Sequence, residues 1–379
     1  MQRSLKNPGT PTSALSPPEA DNPAAIDAEN GQRPHSDTAL ALPDTIAGSG
    51  SLDALVDTAR DYVRHAKAEN TQKAYATDWA DYTSWCRRCG VATAPPTPET
   101  VALYLAHLAA PAKGSGQLAL AVSTIERRLA GLCWTFAQNG TPLDRKDRHI
   151  AGVMAGIRRK HGTPPEGKEP VLAEDILAMI DTLDHSLRGL RDRAILLVGF
   201  AGGLRRSEIT GLDVAKGDTE EGRGWVEFYD EGLVLSIKTK TGWREPVVGR
   251  GSSERSCPVA ALETWMHYGR IAKGPLFRRV LRADGRGGSI SVGADRLSDK
   301  HVARLIKRTV MKAGIRSDIA MADREERFSG HSLRAGFASG DVDERFVQKQ
   351  LGHSTVAMTR TYQRRRDRFR NNLTRASGL

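Results

Sequence analysis

A mainly α-helical chain with one small antiparallel β-sheet is the fold class this sequence predicts, and three observations carry it. Apolar residues recur at i, i+3, i+4 and i+7 from residue 52 to 161, and helical runs return after 171. Two short runs, Trp225 to Tyr229 and Leu233 to Ile237, alternate in the manner of strands, and Thr241-Gly242 marks a hairpin turn. Between the helical halves, residues 162 to 170 read GTPPEGKEP, which has the composition of a linker and suits a hinge.

Residues 1 to 50 contain no aromatic residue and seven of the 18 prolines. Such a segment cannot bury enough apolar surface to offset its ordering entropy, so it reads as a disordered tail. A helical domain follows over residues 51 to 161. Its first helix carries a stripe of Leu52, Leu55, Val56, Ala59, Tyr62 and Val63. The second begins near Asn70 or Thr71, carries Tyr75, Trp79, Tyr82 and Trp85, and ends by Gly90. The third opens at Thr97-Pro98, a cap followed by proline in the first turn. Ser123 and Glu126 read as a capping box for the fourth, which Asn139-Gly140 stops. A last helix with Ile150, Val153, Met154 and Ile157 leads to the basic end Arg158 to His161.

The second domain spans residues 171 to 379. Leu172 to Leu183 and the strongly apolar Arg191 to Ala201 read as helices; Gly202-Gly203 ends the latter, and LRRSEITGL opens a further turn whose N-terminus suits an anion. Cys257 to Gly269 is a helix with Pro258 in its first turn, and residues 282 to 294, rich in Gly, Arg and Ser, read as a loop. Ser298 or Asp299 caps a helix with Val302, Leu305, Ile306 and Val310. Lys300, His301, Arg304, Lys307 and Arg308 form its basic face.

The charge balance of the 379 residues is basic, 56 Lys and Arg against 45 Asp and Glu, a net +11. Because the first 50 residues hold three basic side chains and six acidic ones, the remainder carries +14. That suits a polyanionic partner such as DNA. No apolar run approaches the roughly 18 residues of a membrane span, and four cysteines agree with a reducing compartment, so a cytoplasmic protein is expected. Cys86 and Cys89 form a CRRC without a second pair at zinc-site spacing; Cys86 is expected to share a packed helix face with Tyr82 and Trp85.

Chemistry concentrates between His331 and Tyr362. His331 and Arg334 stand three apart, so on a helix both project from one face and reach one anion. Arginine offers a planar fork of donors to phosphate oxygens, and imidazole can bond or carry a proton. Tyr362, nine positions after His353, is the candidate nucleophile, provided that neighbouring cations stabilise its anion.

GGLRRSEITGL, HSLRAGFA and LGHSTVAMTRTY, in that order along the chain, resemble the catalytic boxes of the tyrosine recombinase (phage integrase) family, and the resemblance runs over roughly residues 50 to 370. It implies a helical SAM-like core-binding domain before an integrase-type catalytic domain. NTQKAYATDWADYTSWC resembles the first long helix of that core-binding domain, which brings Thr71, Lys73 and Tyr75 near DNA phosphates. Lys300 or Arg304 would read base edges, because the corresponding helix of the family lies in the major groove.

The resemblance also implies roles. Arg205 and Arg334 clamp the non-bridging oxygens of a scissile phosphate, and His353 adds a donor. His331 accepts or relays the proton of Tyr362, which attacks to give a 3′-phosphotyrosine. Lys240, or else Lys238, protonates the leaving 5′ oxygen. Neither cofactor nor metal is needed. The implied activity is site-specific recombination of double-stranded DNA with paired core sites, by a homotetramer assembled from monomers or weak oligomers, with a possible accessory DNA-bending or directionality protein. A type IB topoisomerase shares this chemistry, and a catalytically inactive DNA-binding descendant shares the boxes. One departure bears on the latter: His331 and His353 are 22 residues apart, shorter than the family's usual interval by about one helical turn, with the deletion falling between Gly340 and Asp343.

Overall fold

Helix punctuation in the first part of the chain is local and strong. A computed structural model describes residues 68–111, 120–164, 167–239, 242–282, 289–340 and 343–352, together with scattered positions at 52–62, 355 and 360. The chain divides into two compact units between Thr163 and Pro164.

In the first unit, α1 (Glu69–Cys89) ends where Gly90 takes the left-handed conformation at φ 66°, and α2 (Pro98–Leu108) starts from Thr97, whose side chain accepts the Thr100 N–H. Then follow α3 (Val122–Gln138) and α4 (Arg148–His161), the latter capped by Asp147. The core gathers Tyr82, Trp85, Tyr104, Leu129, Leu132 and Phe136. Cys86 is buried among them and Cys89 is exposed.

Two expectations fail here. No side-chain cap opens α3, which begins from Ala121, and Glu126 instead pairs with Arg158 at 2.6 Å. A capping box is lost because a cross-helix arginine competes for the carboxylate. In the stripe expected of the first helix, Leu55 and Tyr62 are 61% and 71% exposed, so periodicity alone did not find them a partner surface. The expected tail at residues 1 to 50 lies outside the described residues.

The second unit is mixed. Lys168 to Val171, the end of the expected linker, is tied down: Glu169 N–H donates to Arg327 O at 2.9 Å and Val171 N–H to Ser332 O at 3.1 Å. Then come α5 (Ala173–Asp181), α6 (Leu187–Ala201) and the short α7 (Arg206–Thr210). A five-stranded sheet runs β1 (Leu212–Asp213), β2 (Gly224–Tyr229), β3 (Gly232–Thr239), β4 (Gly242–Arg244), with β5 (Val247–Gly249) also on β3. All its pairings are antiparallel except β1 with β2. Among the described residues there follow α8 (Pro258–Gly269), β6 (Arg278–Arg282), β7 (Ile290–Arg296), α9 (Asp299–Lys312), α10 (Met321–Arg327), α11 (Ser332–Ala338) and α12 (Glu344–Leu351).

β7 replaces the loop expected over residues 282 to 294. It pairs with β6 in a two-stranded hairpin with little of either face buried, so the hydrophobic alternation that marks a core strand is absent. The main core joins α6, α8, α9 and the inner face of the larger sheet, with Ile195, Leu235, Leu262, Trp265, Phe277 and Leu305 all at 0–1% exposure or fully enclosed. Among the described residues no helix is long and apolar enough to cross a membrane.

Candidate active site

Two glycines explain how the second unit brings its charged segments together. Gly203, at φ 57°, turns the chain after α6, and a Cβ there would lie 2.4 Å from Leu351 Cδ2 at the end of α12. Gly336, inside α11, faces Val171, whose carbonyl oxygen would stand 1.6 Å from any added Cβ. The segment before Arg205 is therefore packed closely on the Leu351 side chain of α12, and the start of the unit on the backbone of α11.

Arg205 stands at the N-cap of α7, where its N–H donates to Glu208 Oε2 at 2.8 Å and its Nη1 to Glu208 Oε1 at 2.6 Å. The guanidinium remains 44% exposed. Glu208 thus holds both an arginine and a backbone end, and the N-terminus of α7 is occupied by this carboxylate rather than open to an anion. Arg206 points elsewhere, to Asp299 at 3.1 Å.

Arg334 lies in the middle of α11 and is 1% exposed. Its Nη1 donates to Gly203 O at 2.7 Å and its Nη2 to Leu351 O at 2.5 Å. One guanidinium therefore joins the residues just ahead of Arg205 to those just ahead of His353. His331 occupies the N-cap of α11. Partial desolvation, then the charges of Arg334 and Arg205, hold its pKa below the ordinary imidazole value, although solvent still reaches the side chain. Its neutral form is favoured, as a proton acceptor requires.

Sequence reasoning passed over Arg244. It sits on β4, opposite Ile237, and is 9% exposed. Nη2 donates to Glu208 Oε2 at 2.6 Å and Nη1 to Gln350 O at 2.5 Å, with Gly202 O at 3.4 Å. Burial pushes the Glu208 carboxyl up, but Arg244 and Arg205 more than offset it, and the pKa falls below the ordinary value. The only signal for Arg244 in the sequence is an arginine on the inward parity of a strand, at a position where an apolar residue is expected.

Lys240, His353 and Tyr362 lie outside the described residues. Lys238, the alternative to Lys240, is exposed on β3 opposite Trp243. The basic face expected on α9 is partly spent. Arg308 donates to buried Asp192 at 2.7 Å, His301 lies 3.5 Å from the same carboxylate, which Arg191 also binds, and Lys307 faces Glu325 at 3.9 Å. Lys300 and Arg304 stay exposed. On α1, Lys73 is exposed and pairs with Glu69, Thr71 is half-buried, and Tyr75 packs its ring 5.4 Å from that of Trp134.

A sequence profile of the phage integrase family matches residues 170–368. An integrase/recombinase xerD homolog of Selenomonas ruminantium is 31% identical over 320 residues, covering 81% of this chain and 85% of that protein. The tyrosine recombinase XerC of Xanthomonas axonopodis pv. citri is 28% identical over 311 residues, covering 79% and 88%. Among solved structures, the XerH site-specific recombinase bound to a palindromic difH substrate superposes with a TM-score of 0.52 at 17% identity, covering 81% of this chain and 79% of that one, a likeness of fold. With the profile matching over half its length and a relative above 30% identity across most of it, the chain belongs to the phage integrase family of tyrosine recombinases.

Proposed function

We propose that this recombinase cleaves and rejoins double-stranded DNA at specific sites through a 3′-phosphotyrosine formed by Tyr362. Attack by the phenolate on phosphorus breaks the bond to the 5′ oxygen, and the same bond re-forms when another 5′ hydroxyl attacks the phosphotyrosine, so the bond energy is kept and no nucleotide is consumed. Arg205, exposed on one side and steered by Glu208 on the other, takes a non-bridging oxygen. Arg334 adds its charge from beneath and fixes the approach of the segments on either side. His331 accepts the Tyr362 proton, His353 donates to the phosphate, and Lys240 protonates the departing oxygen.

The observation that carries this reading is that Arg334, on the helix that His331 opens, binds the carbonyl of Gly203, two residues before Arg205, so that one hydrogen bond joins two distant motifs. Double-stranded DNA with paired core sites is the substrate and a homotetramer the working assembly, each protomer gripping DNA through Thr71, Lys73 and Tyr75 in one unit and Lys300 and Arg304 in the other. An accessory DNA-bending or directionality protein is compatible with this scheme, and chromosomal DNA of the cytoplasm is its setting. Incubation with a nicked duplex that traps cleavage should give a covalent adduct on a denaturing gel, and Tyr362→Phe should give none. A DNA-binding descendant without chemistry would shift the same duplex and yield no adduct from the wild type.

A further inference from the structure

We infer that Arg244 is a positioning residue whose charge neutralises Glu208, leaving the charge of Arg205 available to the scissile phosphate. The inference rests on the proposed transesterification. Glu208 is a single buried carboxylate shared by two arginines, with Oε1 held by Arg205 and Oε2 by Arg244 as well as by the Arg205 backbone N–H. Of the two guanidinium groups only that of Arg205 reaches solvent, and so only it can turn toward a ligand. A carboxylate facing Arg205 alone would close an ion pair and cancel the charge that an anionic substrate needs. With Arg244 behind it, the trio keeps one net positive charge, on the exposed side.

The contacts of Arg244 suit this role better than a merely mechanical one. It arrives from β4, the strand that follows Lys240 in the sequence, and it crosses to the carbonyls of Gly202 and Gln350, which precede the motifs holding Arg205 and His353. Its aliphatic stem lies against Gly352, where a Cβ would meet Cδ at 3.1 Å. A lysine or a neutral amide could serve the carbonyls.

Single-turnover adduct formation on nicked duplexes separates these roles when the scissile phosphate is either ordinary or replaced by a methylphosphonate, which lacks the charged non-bridging oxygen. Arg244→Gln should slow adduct formation on the phosphate by about 10²-fold, as loss of a preorganised charge does, while duplex binding changes little. On the methylphosphonate the deficit should shrink by at least about tenfold, because the pentacoordinate transition state then carries one charged equatorial oxygen instead of two and less charge is left to balance. An equal deficit on both substrates, or no deficit, overturns the inference. Should Arg244→Gln fail to bind DNA, the double variant Glu208→Gln/Arg244→Gln, which removes both charges together, should restore binding and adduct formation above the single variant; a double variant no better than the single one also overturns it. A wild-type protein without any adduct would instead defeat the proposed transesterification itself.

Discussion

The two units each hold a cluster of arginines and carboxylates, and the clusters differ in their arithmetic. In the first, Asp78 takes both Nη atoms of Arg127 at 2.5 and 2.9 Å, while Asp81 binds Arg128 and accepts from Tyr104 Oη at 2.6 Å. Two carboxylates meet two guanidinium groups, and burial raises the Tyr104 phenol so that it stays neutral. In the second, among the described residues, one carboxylate, Glu208, is shared by two guanidinium groups, those of Arg205 and Arg244. A balanced cluster is complete as it stands and joins helices; an unbalanced one holds charge that only a further anion completes. The contrast shows where to look for chemistry in a chain rich in arginine on both sides of its linker.

Arg334→Met should sharpen that contrast most. It removes a buried charge and frees the carbonyls of Gly203 and Leu351. Single-turnover cleavage should fall on the order of 10²-fold or more. Asp78→Ala is the counterpart in the balanced cluster. Denaturant melts should show a loss of about 3 kcal/mol, since Arg127 is half exposed and can return to water while Arg128 loses only a distant partner. The cleavage rate at saturating DNA should not change, and a large fall there would break the distinction between the clusters.

A smaller effect is the pH dependence of His331. Its folded-state pKa is lowered, so in the window between that value and the ordinary imidazole pKa of about 6.5 the unfolded chain binds more protons. Stability from this group is therefore present above the ordinary value and is lost as pH falls through the window. The acid limb of the cleavage rate should lie below about pH 6.5, and His331→Gln should remove it. A limb at or above the ordinary value would contradict the field of the two arginines. The smallest expected effect is that of Lys73→Ala. Its exposed pair with Glu69 is worth at most about 0.5 kcal/mol, so melting should barely move. The salt slope of DNA binding should drop by about one if Lys73 meets a phosphate.

Local signals carried most of what the sequence disclosed. Thr97-Pro98, Asn139-Gly140 and Gly202-Gly203 punctuate helices wherever they stand, because caps and turns depend on a few neighbouring residues. The bond of Glu208 to Arg205 is local in the same sense, since the two stand three positions apart within one turn. Arg244, the Arg191–Asp192–Arg308 group and the pairing of Glu126 with Arg158 were not legible, since each joins residues distant in sequence and an arginine in isolation reads as a solvated side chain. β7 escaped because its pairing with β6 leaves both faces largely open to solvent. Arg205 and Arg334 were found as members of motifs, but only the fold distinguishes them: one is partly exposed to solvent, and the other is buried and fastened to two carbonyls.

Digesting the trapped protein–DNA adduct with trypsin tests the central claim most directly, because cleavage after Arg360 and Arg364 isolates Thr361 to Arg364 with Tyr362 as its sole phenol. Mass spectrometry should find the 3′-phosphoryl end of the oligonucleotide on that four-residue peptide. Attachment to any other residue, or through a 5′ phosphate, would contradict the account.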